Sequence, residues 1–153
     1  MSRAFVKETE GVEELPEKLV STHRNLVTEA GLARIESEVE RLLEDLTAAQ
    51  NAGDRDLIAR VSRDLRYWNQ RLASAEVQPP PIDTNTVAFG STVTLERSDG
   101  RIQTFRIVGE DEADPAKGTL SYVAPLAQAM LGRGIGDIVK AGGGEAEIVK
   151  ISR

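Results

Sequence analysis

The sequence of 153 residues contains no cysteine, which removes disulfides, thiolate chemistry and cysteine-type zinc sites from consideration. It has a single histidine, His23, in a polar stretch. No nucleophile–base arrangement of the acyl-transfer kind can be assembled around it, and it reads as a surface residue. Aromatics make up 4%, so any core must be built from Leu, Ile, Val and Ala, and no strand carries the row of aromatics on which single-stranded nucleic acid stacks. No apolar run approaches the roughly 18 residues of a membrane span. Met1 to Asn25 lacks the apolar centre of a secretory signal, so the expected compartment is the cytoplasm, with no membrane partner.

What is present is charge, 29% of residues with a net of −6. An acidic chain is poorly suited to unaided binding of nucleic acid, whose phosphates require Lys and Arg. It is better suited to a protein with a basic surface.

Four segments follow along the chain. Residues 1–26 carry Pro16 and a cluster of Glu8, Glu10, Glu13, Glu14 and Glu17, with little periodicity, and are expected to form an extended or mobile arm. Thr28 is placed to cap a helix beginning at Glu29. Apolar residues then recur at Leu32, Ile35, Val39, Leu42, Leu46 and Ala49, in steps of 3, 4, 3, 4, 3, which is a heptad seam. Asn51 to Asp54 interrupts it, with Gly53 suited to a left-handed helix end and Asp54 to the next N-cap. A second seam of the same steps runs through Ile58, Val61, Leu65, Trp68, Leu72 and Ala75. Two matched helices of about 22 residues, roughly 33 Å each, joined by a tight turn must fold back on one another. The spacing predicts an antiparallel helical hairpin over residues 27–77.

Pro79, Pro80 and Pro81 end the pattern, and residues 78–86 read as a stiff proline-rich linker. Residues 87–153 change texture. Val87 to Leu95 and Ile102 to Val108 read as strands around a turn at Ser98-Asp99-Gly100, with Phe105 and Ile107 as core candidates. Gly118 to Val123, Ile138 to Ala141 and Ala146 to Ile151 read as further strands. Leu126 to Leu131 reads as a short helix with Pro125 at its start. The fold class is α+β: a two-helix antiparallel coiled coil followed by a small, mostly antiparallel β domain with one short helix.

Few features carry chemistry. Gly132, Gly134 and Gly136, and Gly142 to Gly144, lack the Lys-Ser/Thr and strand–helix context of phosphate loops and read as turn glycines. Asp54 and Asp56 at the hairpin tip could share a hydrated Mg²⁺. They could equally be an N-cap and a first-turn acid favoured by the helix dipole. The heptad faces could bind a partner helix, but the expectation is that each seam is consumed by the other within the hairpin, Trp68 included. The apolar stretch around Ala129 and Met130 is either core or part of a docking patch.

The order of hairpin, proline segment and β domain resembles the GreA/GreB transcription factors, and the second half carries the stronger likeness. Val87 to Leu95 followed by Phe105 to Asp114 is similar to the family's FGATVTV…YRIVGDDEAD. Leu120 to Gly132 is similar to its ISVNSPLARALLG, and Gly136 to Val139 and Gly143 to Glu147 to its later glycine motifs. Val27 to Leu32 resembles, more loosely, the start of the family's first helix. The resemblance covers residues 87–151. It implies an FKBP-like C-terminal domain that docks on bacterial RNA polymerase at the rim of the secondary channel, through Ala124, Pro125, Leu126 and Met130. It also implies a coiled coil that enters the channel. Nucleic acid would be met only indirectly, through the elongation complex, and the factor would act as a monomer. In cleavage-stimulating members, two tip acids help hold a Mg²⁺ shared with the polymerase, which then hydrolyses backtracked RNA.

Three departures bear on that. The family's tip has a Glu-Asn pair; here the tip reads Gly53-Asp54-Arg55-Asp56-Leu57, so Asp54 matches the first acid, Leu57 stands at the second acid's position, and Asp56 is a shifted substitute. Each helix is about two turns shorter, a deficit of roughly 10–15 Å, which resembles a short-hairpin, Rnk-like variant. Ala124 stands where the family often has Ser. The expectation is therefore a polymerase-binding regulator of elongation, not itself an enzyme, with no intrinsic cofactor or metal. A cleavage-stimulating factor using Asp54 and Asp56 is the alternative. From other classes come an FKBP-like prolyl isomerase, for which Phe89, Phe105 and Tyr122 are the aromatics on offer, and a coiled-coil adaptor.

Overall fold

A computed structural model of the chain describes residues 15–153; the first fourteen positions of the expected arm, with Glu8, Glu10, Glu13 and Glu14, lie outside the described residues. Contacts divide the described residues into two units, one comprising residues 15–22 together with 33–74, the other residues 23–32 together with 75–153. Among the described residues no helix is long and apolar enough to cross a membrane.

The first unit is the helical hairpin. Helix α1 spans Glu29–Ala52 and helix α2 spans Arg55–Ser74, 24 and 20 residues that give lengths of about 36 and 30 Å. Leu42, Val61 and Leu65 are buried between them, and Val39, Leu46, Leu57 and Trp68 pack around these. The seam is thus the predicted one with a change at the tip, where Leu57 and not Ile58 joins the cluster. The run Leu57, Val61, Leu65, Trp68 keeps one stripe facing α1 at the 3.6-residue period. On the exposed side Arg41 bridges Glu38 at 2.7 Å and Asp45 at 2.8 Å along α1. Such solvent-facing pairs are screened by water and salt and contribute little to stability. Arg71, one residue off the second seam, is almost fully buried. Nothing in the heptad pattern marks it.

The second unit is the β domain. Strand β1, Leu26–Val27, pairs in parallel with strand β2, Glu76–Val77, and the Arg24–Glu76 ion pair at 2.6 Å stands beside it. The Pro79–Pro81 stretch carries neither helix nor strand. The main sheet has strands β3 (Thr92–Arg97), β4 (Ile102–Val108), β5 (Thr119–Ser121), β6 (Ile138–Ala141) and β7 (Gly144–Ser152), in the order β5-β4-β3-β7-β6. Its pairings are antiparallel apart from β4 with β5, which is parallel. A two-residue turn cannot make a parallel neighbour; here the chain returns through a loop and a 3₁₀ turn at Pro115–Lys117. The short helix α3, Pro125–Met130, covers the sheet.

The core comprises Val93, Leu95, Ile107, Leu120, Val139, Ile148 and Ile151 from the strands with Ala127 and Met130 from α3. Ile107 is fully buried as expected, whereas Phe105 is only half-buried at the margin. The strand expected from Val87 begins only at Thr92. Before it a turn intervenes, in which the Ser91 N–H donates to the Ala88 carbonyl at 2.9 Å and the Ser91 hydroxyl accepts from the Ala88 N–H at 2.9 Å.

Candidate functional site

The hairpin tip is built by backbone necessity. Gly53 adopts φ 66°, a left-handed conformation that side chains disfavour. Its N–H and that of Asp54 donate to the Gln50 and Ala49 carbonyls, each at 3.1 Å, closing the end of α1. Asp54 Oδ1 then accepts the Leu57 N–H at 3.1 Å, so the aspartate is the N-cap of α2 and satisfies one of its orphan donors. Asp56 lies in the first turn of α2, where the helix dipole favours an acid. Both acids are exposed. Among the described residues no three Asp, Glu, His or Cys side chains gather in a way that could hold a metal ion. The tip therefore offers two carboxylates, one already engaged as a cap, and these alone do not complete the coordination sphere of a Mg²⁺.

The residues expected to dock divide into two kinds. At the start of α3, Pro125 is exposed and Ala124 and Leu126 are half-exposed. Met130 is fully buried in the core of the β domain and is corrected from docking residue to core residue. A six-residue helix lying on a sheet turns its third and sixth residues, Ala127 and Met130, inward.

The aromatics considered for a prolyl isomerase pocket are used for packing. Phe89 and Tyr122 meet edge to face with centroids 5.6 Å apart, and Phe105 rests on the core. The Tyr122 hydroxyl donates to the Arg24 carbonyl. Burial pushes this phenol above its ordinary value, and the charge of Glu110 adds to the effect.

A locus not foreseen from spacing joins two of the motifs. Glu112, in the loop after β4, accepts the Thr28 N–H at 3.0 Å and the Gly109 N–H at 3.1 Å through Oε2, and the Thr28 hydroxyl through Oε1. Thr28 Oγ1 in turn accepts the Gly31 N–H at 3.0 Å, as a helix cap should. A Cβ at Gly31 would lie 2.2 Å from the Glu112 side chain, and one at Gly109 would lie 2.4 Å from the Leu26 carbonyl oxygen. Gly109 is thus demanded by close approach of backbone, whereas a side chain at Gly31 would displace the Glu112 carboxylate from its hydrogen bonds. The residues sit within Val27 to Leu32 and Phe105 to Asp114, two stretches that carried the family resemblance, and that coincidence was the available signal.

The family model described as "Transcription elongation factor, GreA/GreB, C-term" matches residues 82–153. Transcription elongation factor GreA of Desulfovibrio desulfuricans is 36% identical over 127 residues, covering 72% of this chain and 76% of the relative. Transcription elongation factor GreB of Neisseria meningitidis serogroup A is 32% identical over 136 residues, covering 76% of this chain and 83% of the relative. Among solved structures, GreA factor homolog 1 of Thermus thermophilus aligns at 21% identity over 86% of this chain and all of its own, with a TM-score of 0.42. The chain belongs to the GreA/GreB family of transcription elongation factors.

Proposed function

We propose that this elongation factor docks on bacterial RNA polymerase through its β domain, around Ala124, Pro125 and Leu126, and that the α1–α2 hairpin enters the secondary channel. There it acts as a monomer by occupying the channel and competing with cleavage-stimulating relatives. Family membership supports the polymerase as partner. The observation that carries the mode of action is the tip. Asp54 is engaged as the cap of α2, and Leu57, at the position of the family's second acid, packs into the hairpin cluster. A side chain turned into the hairpin is not available to a metal outside it. Helices of 24 and 20 residues also reach less far than the longer coiled coils the family pattern implies, and placement errors near 1 Å already cost about 100-fold in rate.

The test is transcript cleavage on a stalled, backtracked elongation complex. The expected result is no cleavage above the polymerase's intrinsic rate, with dose-dependent inhibition of an authentic cleavage factor. Cleavage that disappears in both Asp54→Asn and Asp56→Asn refutes the occupancy reading. Asparagine is chosen because it caps a helix about as well as aspartate, so loss of activity reports the charge and not the fold. A charged residue in place of exposed Pro125 is expected to weaken polymerase binding; unchanged binding removes this surface from the interface.

A further inference from the structure

Residues 15–20 form neither helix nor strand, yet they lie in the same compact unit as the hairpin. Two adjacent residues attach them to α2. Glu17 accepts from Arg66 Nε at 3.0 Å on both carboxylate oxygens. Lys18 Nζ lies 3.0 Å from Asp64 Oδ1 and 5.7 Å from the centroid of the Tyr67 ring. The arm runs Glu17 then Lys18 while its partners run Arg66 then Asp64, so the two charge patterns are complementary in opposite directions. Apolar burial contributes little, since Leu19 is 95% exposed. Asp64 also receives Arg63 at 3.4 Å, and α2 carries Arg55, Arg60, Arg63, Arg66 and Arg71 against only Asp56 and Asp64.

We propose that residues 15–20 are an electrostatic strap that covers the Arg66–Tyr67 face of α2 and must lift before the hairpin engages its partner. The proposal rests on the polymerase-docking reading above. Contacts of this kind are individually weak and screened by salt, the screening length shrinking from about 10 Å at 0.1 M to about 3 Å at 1 M. Two exposed ion pairs and one cation–π contact bias the closed form by roughly fivefold to thirtyfold. Apparent affinity falls by the same factor when only the open form binds. The strap thus lowers the factor's effective affinity and contributes an ionic-strength dependence opposite in sense to that of an ordinary ion-paired interface.

The test uses the full chain and the variant Glu17→Gln/Lys18→Gln, which leaves α2 unaltered. Backbone amide order parameters of Glu17, Lys18 and Leu19 report the strap. They are expected near 0.85 for the wild type in low salt and below about 0.6 in 1 M salt or in the variant. The charge-swapped pair Glu17→Arg/Arg66→Glu is expected to restore order. Polymerase affinity, measured at low salt by displacement of a labelled family member, is expected to be roughly fivefold to thirtyfold tighter for Glu17→Gln/Lys18→Gln than for the wild type. A wild-type arm already mobile at low salt overturns the strap. A released arm with unchanged affinity overturns its regulatory role. Absence of polymerase binding by wild type and variant alike refutes the docking reading, and the order parameters then still decide whether the strap exists.

Discussion

Replacing Glu112 by alanine should destabilise the β domain more than any surface substitution. The carboxylate serves three donors: the Thr28 N–H, the Thr28 hydroxyl and the Gly109 N–H. Thr28 and Gly109 are buried, so water does not readily replace the lost acceptor. Each backbone donor left without its charged partner costs about 1.5–2 kcal/mol, while the hydroxyl can rotate towards another acceptor. The expected loss is about 3–4 kcal/mol. Glu112→Gln keeps an acceptor for the two backbone donors and should cost only about 1 kcal/mol. The assay is urea unfolding followed through amide signals of β3 and β4, which report the unit containing the site. With a slope of about 1.5 kcal/mol per molar, the alanine variant should unfold at about 2–2.7 M less urea than the wild type. A cost below about 1 kcal/mol for alanine, or equal costs for alanine and glutamine, would refute the idea that this carboxylate organises the first turn of α1 and the loop after β4.

Other expectations follow from single contacts. Gly109→Ala should destabilise the same unit by several kcal/mol, because its Cβ would meet the Leu26 backbone oxygen at 2.4 Å, a neighbour that cannot swing away as a side chain can; a neutral effect in urea unfolding would contradict this. Met130→Ala should cost about 2–5 kcal/mol as a core deletion, whereas a substitution at a residue in a docking patch would alter binding and leave the urea midpoint unmoved. Asp54→Ala should cost about 1 kcal/mol of hairpin stability and Asp54→Asn almost none, read from helical circular dichroism in urea. Acid should weaken the first unit. The guanidinium of Arg66 holds Glu17, and that of Arg41 holds Glu38, below their ordinary value of 4.5. Because these folded values are depressed, the stabilisation is complete above about pH 4.5 and is lost as pH falls through the folded values. Hairpin stability that stays constant from pH 6 to pH 3 would show that the pairs contribute nothing.

Much of the first unit was legible because one interaction repeats. Leu42, Val61, Leu65 and Trp68 lie where a heptad count puts them, and Gly53 and Asp54 announce a turn and a cap by their own conformational preferences. The β domain was legible in its strands and less so in its pairings. The parallel return of β5 depends on where a loop carries the chain, which no alternation of residues records. Met130 was misassigned because a helix of six residues is too short for periodicity to distinguish its inner face from its outer one. The hydrogen bonds of Glu112 and Tyr122 were not legible in residue spacing for a different reason. Their partners Thr28 and Arg24 lie 84 and 98 residues away, and a single long-range hydrogen bond leaves no local pattern.

The tip shows why the identity of one residue is weak ground for a mechanism. A left-handed glycine that ends one helix and begins the next calls for a side chain able to accept the first free N–H groups of the second helix, and Asp, Asn, Ser and Thr do this best. Asp54 meets that need whatever the tip later touches, so its presence does not separate a cleavage factor from a channel occupant. The discriminating position is Leu57. It follows the cap by three residues and donates the N–H that Asp54 accepts, and its side chain is committed to the cluster of Leu42, Val61 and Leu65. Replacing Leu57 by glutamate would restore an acid at the family's second position at the expense of apolar packing inside the hairpin. If shortness of the hairpin is what prevents cleavage, Leu57→Glu should leave the factor inactive. If the missing acid alone prevents it, the same variant should gain transcript cleavage on a backtracked complex and lose it again with Asp54→Asn.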